Sequence, residues 1–161
     1  MQRKDREIKN IEDILQIMKK CDVCSLALFD EGYPYIVPIN FGFSYDGKNI
    51  ILYYHGANKG KKLSLIQKNN HASFEMNTSH KLITGDKACS YTMEYESVIG
   101  NGEIEILSEN QKMEALNYIM KNYSNKEEFN FDARYLEVVC VYKLTAEKIT
   151  GKKMIKQKLY M

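Results

Sequence analysis

A single dipeptide constrains the fold of this chain most. Asp46-Gly47 stands between Tyr35–Tyr45 (YIVPINFGFSY) and Asn49–His55 (NIILYYH), two runs rich in β-branched and aromatic residues. Asp-Gly supplies the positive backbone angles of a two-residue turn, so the runs are expected to be antiparallel neighbours. Just upstream, Asp30-Glu31-Gly32 separates Val23–Phe29 (VCSLALF) from the same Tyr35 run. Strands joined this closely do not make a parallel sheet, whose partners need a crossover of about a dozen residues or more.

The rest of the chain agrees with an antiparallel design. Asn10 is placed to cap a short helix carrying Ile11, Ile14, Leu15 and Met18 and ending near Lys20. A helix is expected from about Lys59 to Lys68, a strand over His71–Met76, and a polar loop over Asn77–Ala88. Tyr91–Leu107 reads as one long strand, with Gly100-Asn101-Gly102 marking a bulge or bend. Alternation puts Tyr91, Met93, Tyr95 and Ser97 on one, half-buried face, and Thr92, Glu94, Glu96 and Val98 on the other, and the sequence shows no acid/base pairing of either glutamate. Ser108 and Gln111 form a capping box that opens a helix with Met113, Leu116, Ile119 and Met120. A loop with a helical turn is expected over Ser124–Arg134, and a last strand over Leu136–Ile149. The expectation is a mainly β chain of about six antiparallel strands with peripheral helices, forming one domain over residues 1–161.

Composition narrows the function. With 23 Lys+Arg against 21 Asp+Glu the net charge is +2, unlike the strongly basic domain of a dedicated nucleic-acid binder. No run approaches the roughly 18 apolar residues of a membrane helix. The charged start, MQRKDREIKN, lacks the apolar core of a signal peptide, so a cytoplasmic protein is expected. Cys21, Cys24, Cys89 and Cys140 fit reduced thiols. The Cys21–Cys24 spacing suits a metal, but a second close pair is missing, so no metal site is expected.

Two segments carry candidate chemistry. In His55-Gly56-Ala57-Asn58-Lys59-Gly60-Lys61-Lys62 a strand ends, small residues permit close approach, and a helix opens beside three lysines. Free N–H groups, the helix dipole and ammonium charge together suit a phosphate. Taken alone, three lysines in four residues are more often a solvated surface. In Tyr33-Pro34-Tyr35-Ile36-Val37-Pro38-Ile39-Asn40-Phe41, a proline inside a strand implies an edge, a bulge, or backbone left open to a ligand.

Taken in order, YPYIVPINF, LYYHGANKGKKL and YESVIGNG resemble the pyridoxamine 5′-phosphate oxidase-like split-barrel flavoproteins, and among them the Nim-type proteins named for 5-nitroimidazole resistance. The resemblance runs from the N-terminal RKDREI to the closing EKITGKK. It implies a homodimer of six-stranded split barrels with FMN at the subunit interface. It further implies that Pro38, Ile39 and Asn40 line the isoalloxazine ring with Val37 and Phe41 nearby. By the same resemblance His55 stands close to the ring as a catalytic candidate, and Lys59 and Lys62, with Lys61 as helper, hold the phosphate. Ser97 and Val98 would approach the flavin from the same or the partner subunit. The implied activity is an FMN-dependent oxidoreductase acting on a small molecule, such as a nitroaromatic. The alternatives are a non-catalytic flavin or haem protein, leaning on His55, His71 or His80 in the haem case, and oxidation of a vitamin B6 phosphate. The last is disfavoured because the chain closes on MIKQKLYM, without the arginine and histidine of the oxidases proper.

Overall fold

A computed structural model describes residues 3–155. After a single 3-10 turn the elements are β1 (Glu7–Ile8), α1 (Ile11–Lys20), β2 (Cys24–Leu28), β3 (Tyr35–Ile39), β4 (Gly42–Tyr45), β5 (Ile50–Ala57), α2 (Lys61–Lys68), β6 (His71–Ile83), β7 (Thr92–Ile106), α3 (Glu109–Tyr123), α4 (Ala133–Val138) and β8 (Val139–Met154). Every strand pairing is antiparallel, and the sheet runs β3-β2-β6-β7-β8-β5-β4 with β1 added to β8. The two end strands, β3 and β4, are consecutive in the chain, joined by Asn40-Phe41 alone. The sheet therefore curls into a split barrel whose seam is closed by chain rather than by a ladder.

Local signals explain most boundaries. Asn10 Oδ1 accepts from the Glu12 N–H at 3.0 Å and starts α1, whose Ile14, Ile17 and Met18 are buried against the barrel. Ser108 and Gln111 close their capping box on α3. Gly47 takes φ 93° in the β4–β5 turn, where a side chain would be strained. The bulge expected at Gly100-Asn101-Gly102 is present, since the β7–β8 register shifts between Asn101 and Gly102. Core residues from both walls meet at Leu26, Phe41, Leu52, Tyr54, Phe74, Val98, Tyr142 and Leu144.

Several expectations need correction. The sheet has eight strands, not six. The Tyr35–Tyr45 run is two strands, because Asn40-Phe41 crosses the seam. Asn77–Ile83 is no loop but the outer half of β6, its polar residues paired to β7 beyond the core. Leu136–Val138 belongs to α4, so the last strand begins at Val139. On β7 the buried face is Glu96, Val98, Gly100, Gly102 and Ile104, while Met93 is exposed and Tyr95 half-buried. The tyrosines lost that face because Phe74 and the β8 backbone press so closely that only glycine fits at residues 100 and 102. Glu96 also has partners: it accepts from Lys20 Nζ at 2.8 Å and from Ser79 Oγ at 2.7 Å.

Candidate functional site

The end of β5 lies in register with the start of β8: Tyr54 with Tyr142, His55 with Val141, Gly56 with Cys140. Inside the barrel the Tyr54 and Tyr142 rings stack at 5.6 Å, and the Tyr54 hydroxyl meets Cys24 Sγ at 3.6 Å. The Tyr142 hydroxyl is buried and has no hydrogen-bond partner. Such an orphaned group is costly and calls for an explanation.

The explanation points to Lys62. Gly60, at φ 122°, lets the chain turn sharply from β5 into α2, which aims Lys62 back across the barrel end. Its Nζ stands 5.3 Å from the centre of the Tyr142 ring. A Cβ on Gly56 would lie 3.0 Å from that Nζ and 3.8 Å from the Tyr142 hydroxyl, so ammonium and orphan hydroxyl converge over a residue that lacks a side chain. Burial pushes the Lys62 ammonium below its ordinary pKa, and no carboxylate among the described residues pairs with it. An anion seated here would relieve both groups.

The three lysines are not equivalent. The Lys61 ammonium reaches Asp30 at 2.5 Å and lies 5.2 Å from the Tyr35 ring, so its charge is already answered. Lys59 is exposed and, like Lys62, has no acidic partner among the described residues. Unneutralised charge at the start of α2 therefore resides on Lys59 and Lys62.

His55 borders an apolar cleft of about 680 Å³, lined chiefly by Ala57, Leu116, Ile119, Phe131, Leu136 and Val139. Desolvation, then the nearby Lys62 charge, pulls the imidazole below its usual pKa and keeps it neutral at pH 7. The cleft is the sequence reading's main omission. Its walls come from α3 and the segment before β8, whose closeness to β5 no local pattern reveals. Tyr142 was also missed, although a hydroxyl inside the apolar run Val139–Leu144 was a usable signal.

The flavin-facing candidates divide into two groups. Pro38 is exposed on edge strand β3, in register with Ser25, as the rule for strand prolines requires. Val37 and Ile39 are half-buried beside it, and the Asn40 amide donates to the Asp22 carbonyl at 3.1 Å. The side chains of Phe41 and Val98 are wholly buried, so only their backbone can face a ligand. Ser97 pairs with Lys152 and His55 with Val141, far apart along β8. One copy of the chain therefore brings His55 and the lysines together, but holds Ser97 and Val98 apart from them.

Cys21, Cys24 and Cys140 are buried and unpaired; burial pushes the Cys21 and Cys24 thiols up to about 12. No group of three or more His, Cys, Asp or Glu suited to a metal occurs among the described residues. No helix among them is long and apolar enough to cross a membrane.

Comparison with known proteins places this geometry in context. The comparison with curated proteins finds no match. A candidate 5-nitroimidazole antibiotic resistance protein from Bacteroides thetaiotaomicron shares 32% identity at a TM-score of 0.78, covering 91% of this chain and 86% of that one. An FAD- and haem-binding protein from Mycobacterium smegmatis matches at TM-score 0.80 and 16% identity, over 94% and 74% of the two chains. A flavocytochrome from Azotobacter vinelandii matches at TM-score 0.76 and 18% identity, over 93% and 70%. These last two speak for the fold alone. The model of the pyridoxamine 5′-phosphate oxidase family matches residues 10–153, nearly the whole barrel, and the chain belongs to that family of flavin-binding split barrels.

Proposed function

We propose that the protein binds FMN between two copies of the chain and uses it to reduce small nitroaromatic compounds. The observation that carries this reading is the unneutralised Lys62 ammonium converging with the orphaned Tyr142 hydroxyl over Gly56, one residue from His55, with a second unneutralised lysine, Lys59, just before α2. The 32% identical relative supports the choice of acceptor.

The residues fit a flavin phosphate. Lys59 and Lys62 hold it, the free N–H groups of the first α2 turn add donors, and Gly56 leaves room at the strand end. The bound flavin supplies the electron transfer. The chain's part is placement: backbone groups of Val37–Phe41, along the edge that Pro38 leaves open, read the polar rim of the ring. Neutral His55 orients the acceptor by a hydrogen bond and passes protons at its ring nitrogen. Ser97 and Val98 complete the pocket from a second copy. Ile36 and Ile99, 63% and 54% exposed, give the outer sheet face an apolar surface for that pairing.

An absorption spectrum of the purified protein, with mass analysis of the extracted cofactor, tests the first step. FMN is expected; FAD or a haem Soret band overturns it. Bleaching by reduced nicotinamide followed by reoxidation with a 5-nitroimidazole is expected of the enzyme, and a flavin that stays reduced leaves only a binding protein. A monomeric mass by light scattering with flavin still bound contradicts a shared site.

A further inference from the structure

Lys62 offers more than the charge that a phosphate would use. Its side chain is half-buried against the Tyr142 ring and over Gly56, and it meets no carboxylate among the described residues. Burial is the larger influence on the ammonium, opposed by the nearby Cys140 thiol, and the amine gives up its proton more readily than a solvated lysine does. Nothing that faces it supplies an anion at neutral pH. Cys140 and Tyr142 on β8 are both kept protonated by burial, and His55 on β5 is neutral. Beside it Lys61 is answered by Asp30, and Lys59 is exposed. Lysines that lose their proton this way are the ones that act as nucleophiles toward carbonyl groups.

The second half of such a site is a donor for the carbonyl oxygen. Tyr142 is 1% exposed, and its hydroxyl makes no hydrogen bond. A Cβ on Gly56 would lie 3.0 Å from Lys62 Nζ and 3.8 Å from that hydroxyl, so an amine and an unused donor flank the space a side chain would fill. A carbonyl suits this pair, its carbon toward the amine and its oxygen toward the phenol. Gly56 also lines the 680 Å³ apolar cleft, together with Phe131, Leu136 and Val139. A carbonyl compound held at the amine can therefore keep a ring in the cleft.

We propose that in the flavin-free chain Lys62 captures an aromatic aldehyde as an imine, with the ring in the cleft, and that aldehyde and flavin phosphate exclude one another. Capture is independent of the flavin reading, on which only the exclusion rests. The amine nitrogen adds to the carbonyl carbon, the C=O π pair moves to oxygen, and that oxygen takes one proton from nitrogen while the Tyr142 hydroxyl donates a hydrogen bond to it. The oxygen then leaves as water with the second amine proton, and C=N remains. Nothing is oxidised or reduced.

The full chain is stripped of flavin by dialysis against concentrated bromide, and half of it is reloaded with FMN. Each half is treated with benzaldehyde and, separately, with butanal in the presence of cyanoborohydride, which reduces an imine to a stable amine. Peptide mapping by mass spectrometry gives the rate at each lysine. In the stripped half benzaldehyde is expected on Lys62 at least tenfold faster than on exposed Lys59, and by a larger ratio than butanal, which has no ring for the cleft. Tyr142→Phe, its fold checked by circular dichroism, is expected to slow Lys62 severalfold with Lys59 unchanged. The two aldehydes on the unsubstituted chain give the answer without that variant should it disturb folding. Lys62 no faster than Lys59, equal ratios for the two aldehydes, or a folded Tyr142→Phe that labels as fast as the parent overturns the proposal. FMN is expected to protect Lys62 and not Lys59. Undiminished trapping with FMN bound overturns the exclusion and the phosphate assignment together, whereas a chain that captures benzaldehyde but takes up no FMN refutes the flavin reading and leaves capture standing.

Discussion

Two lysines sit at opposite ends of β8, and the fold treats them differently. Lys20 extends from α1 to Glu96, whose β8 partner is Lys153. Ser79, held at a left-handed φ of 59° in the β6 irregularity, donates to the same carboxylate. Burial pushes the Glu96 carboxyl up, but Lys20 and Ser79 more than offset it, so it lies below its usual pKa. Lys62, across from Tyr142 at the other end, has an aromatic face and an orphaned hydroxyl but no carboxylate. A charge answered within the fold belongs to the architecture. One left unanswered beside a buried polar group marks where a ligand completes the molecule.

The sharpest way to break this contrast is to remove the unanswered charges. Lys59→Ala with Lys62→Ala is expected to lower flavin affinity by more than about a hundredfold, since each charge-assisted bond contributes about 1.5–3 kcal/mol, about 3–6 kcal/mol for the two, and each 1.4 kcal/mol is about tenfold. Cofactor stoichiometry after gel filtration checks it, and unchanged flavin content refutes the phosphate assignment. Glycines at the two ends should then respond in opposite ways. A Cβ at Gly100 runs into the Phe74 ring and lies 2.7 Å from the Lys148 carbonyl oxygen, so Gly100→Ala is expected to destabilise by about 1–3 kcal/mol in urea unfolding. At Gly56 the neighbour is the flexible tip of Lys62, so Gly56→Ala should leave stability nearly unchanged while weakening flavin binding severalfold.

Smaller effects sharpen the comparison. Glu96→Gln is expected to cost about 1–2 kcal/mol, read as a lower Tm at constant flavin content. The Glu96 pairing contributes stability that is present above the ordinary carboxyl pKa and lost as pH falls through the lower folded value, so the variant should show less acid loss. At the other end the sign follows from a depressed imidazole. His55 in the fold resists protonation, so its contribution to stability holds above about pH 6.5 and is lost as pH falls below it. His55→Gln should flatten the Tm profile slightly in that window and match the parent above it; identical profiles throughout refute the depressed value.

Much of this was legible because it is local. Asp46-Gly47, the Ser108–Gln111 box and the contiguous His55–Lys62 segment each carry their meaning within a few residues. What escaped depends on distant partners. Asn77–Ile83 is too polar to read as a strand, yet pairing with β7 satisfies its backbone without a buried side. The Leu136–Val138 run looked like a strand start, but Asp132 caps it into a helix. The buried face of β7 went to its glycines because of Phe74 and Thr145, which lie far off in sequence. Among the lysines, spacing alone could not show that Asp30 had already claimed Lys61.

The seam between β3 and β4 has a mechanical consequence. Asn40-Phe41 holds the two sheet edges within about 10 Å of each other at one end. There one phenol acts as a clasp: Tyr123 Oη accepts the Phe41 N–H at 2.9 Å and donates to the Asp22 carbonyl at 2.8 Å. At that end the two sheet edges are held by the chain itself and by a single phenol that spans the β3–β4 connection and the segment before β2, so the closure of the barrel there rests on one side chain of α3 and not on a ladder.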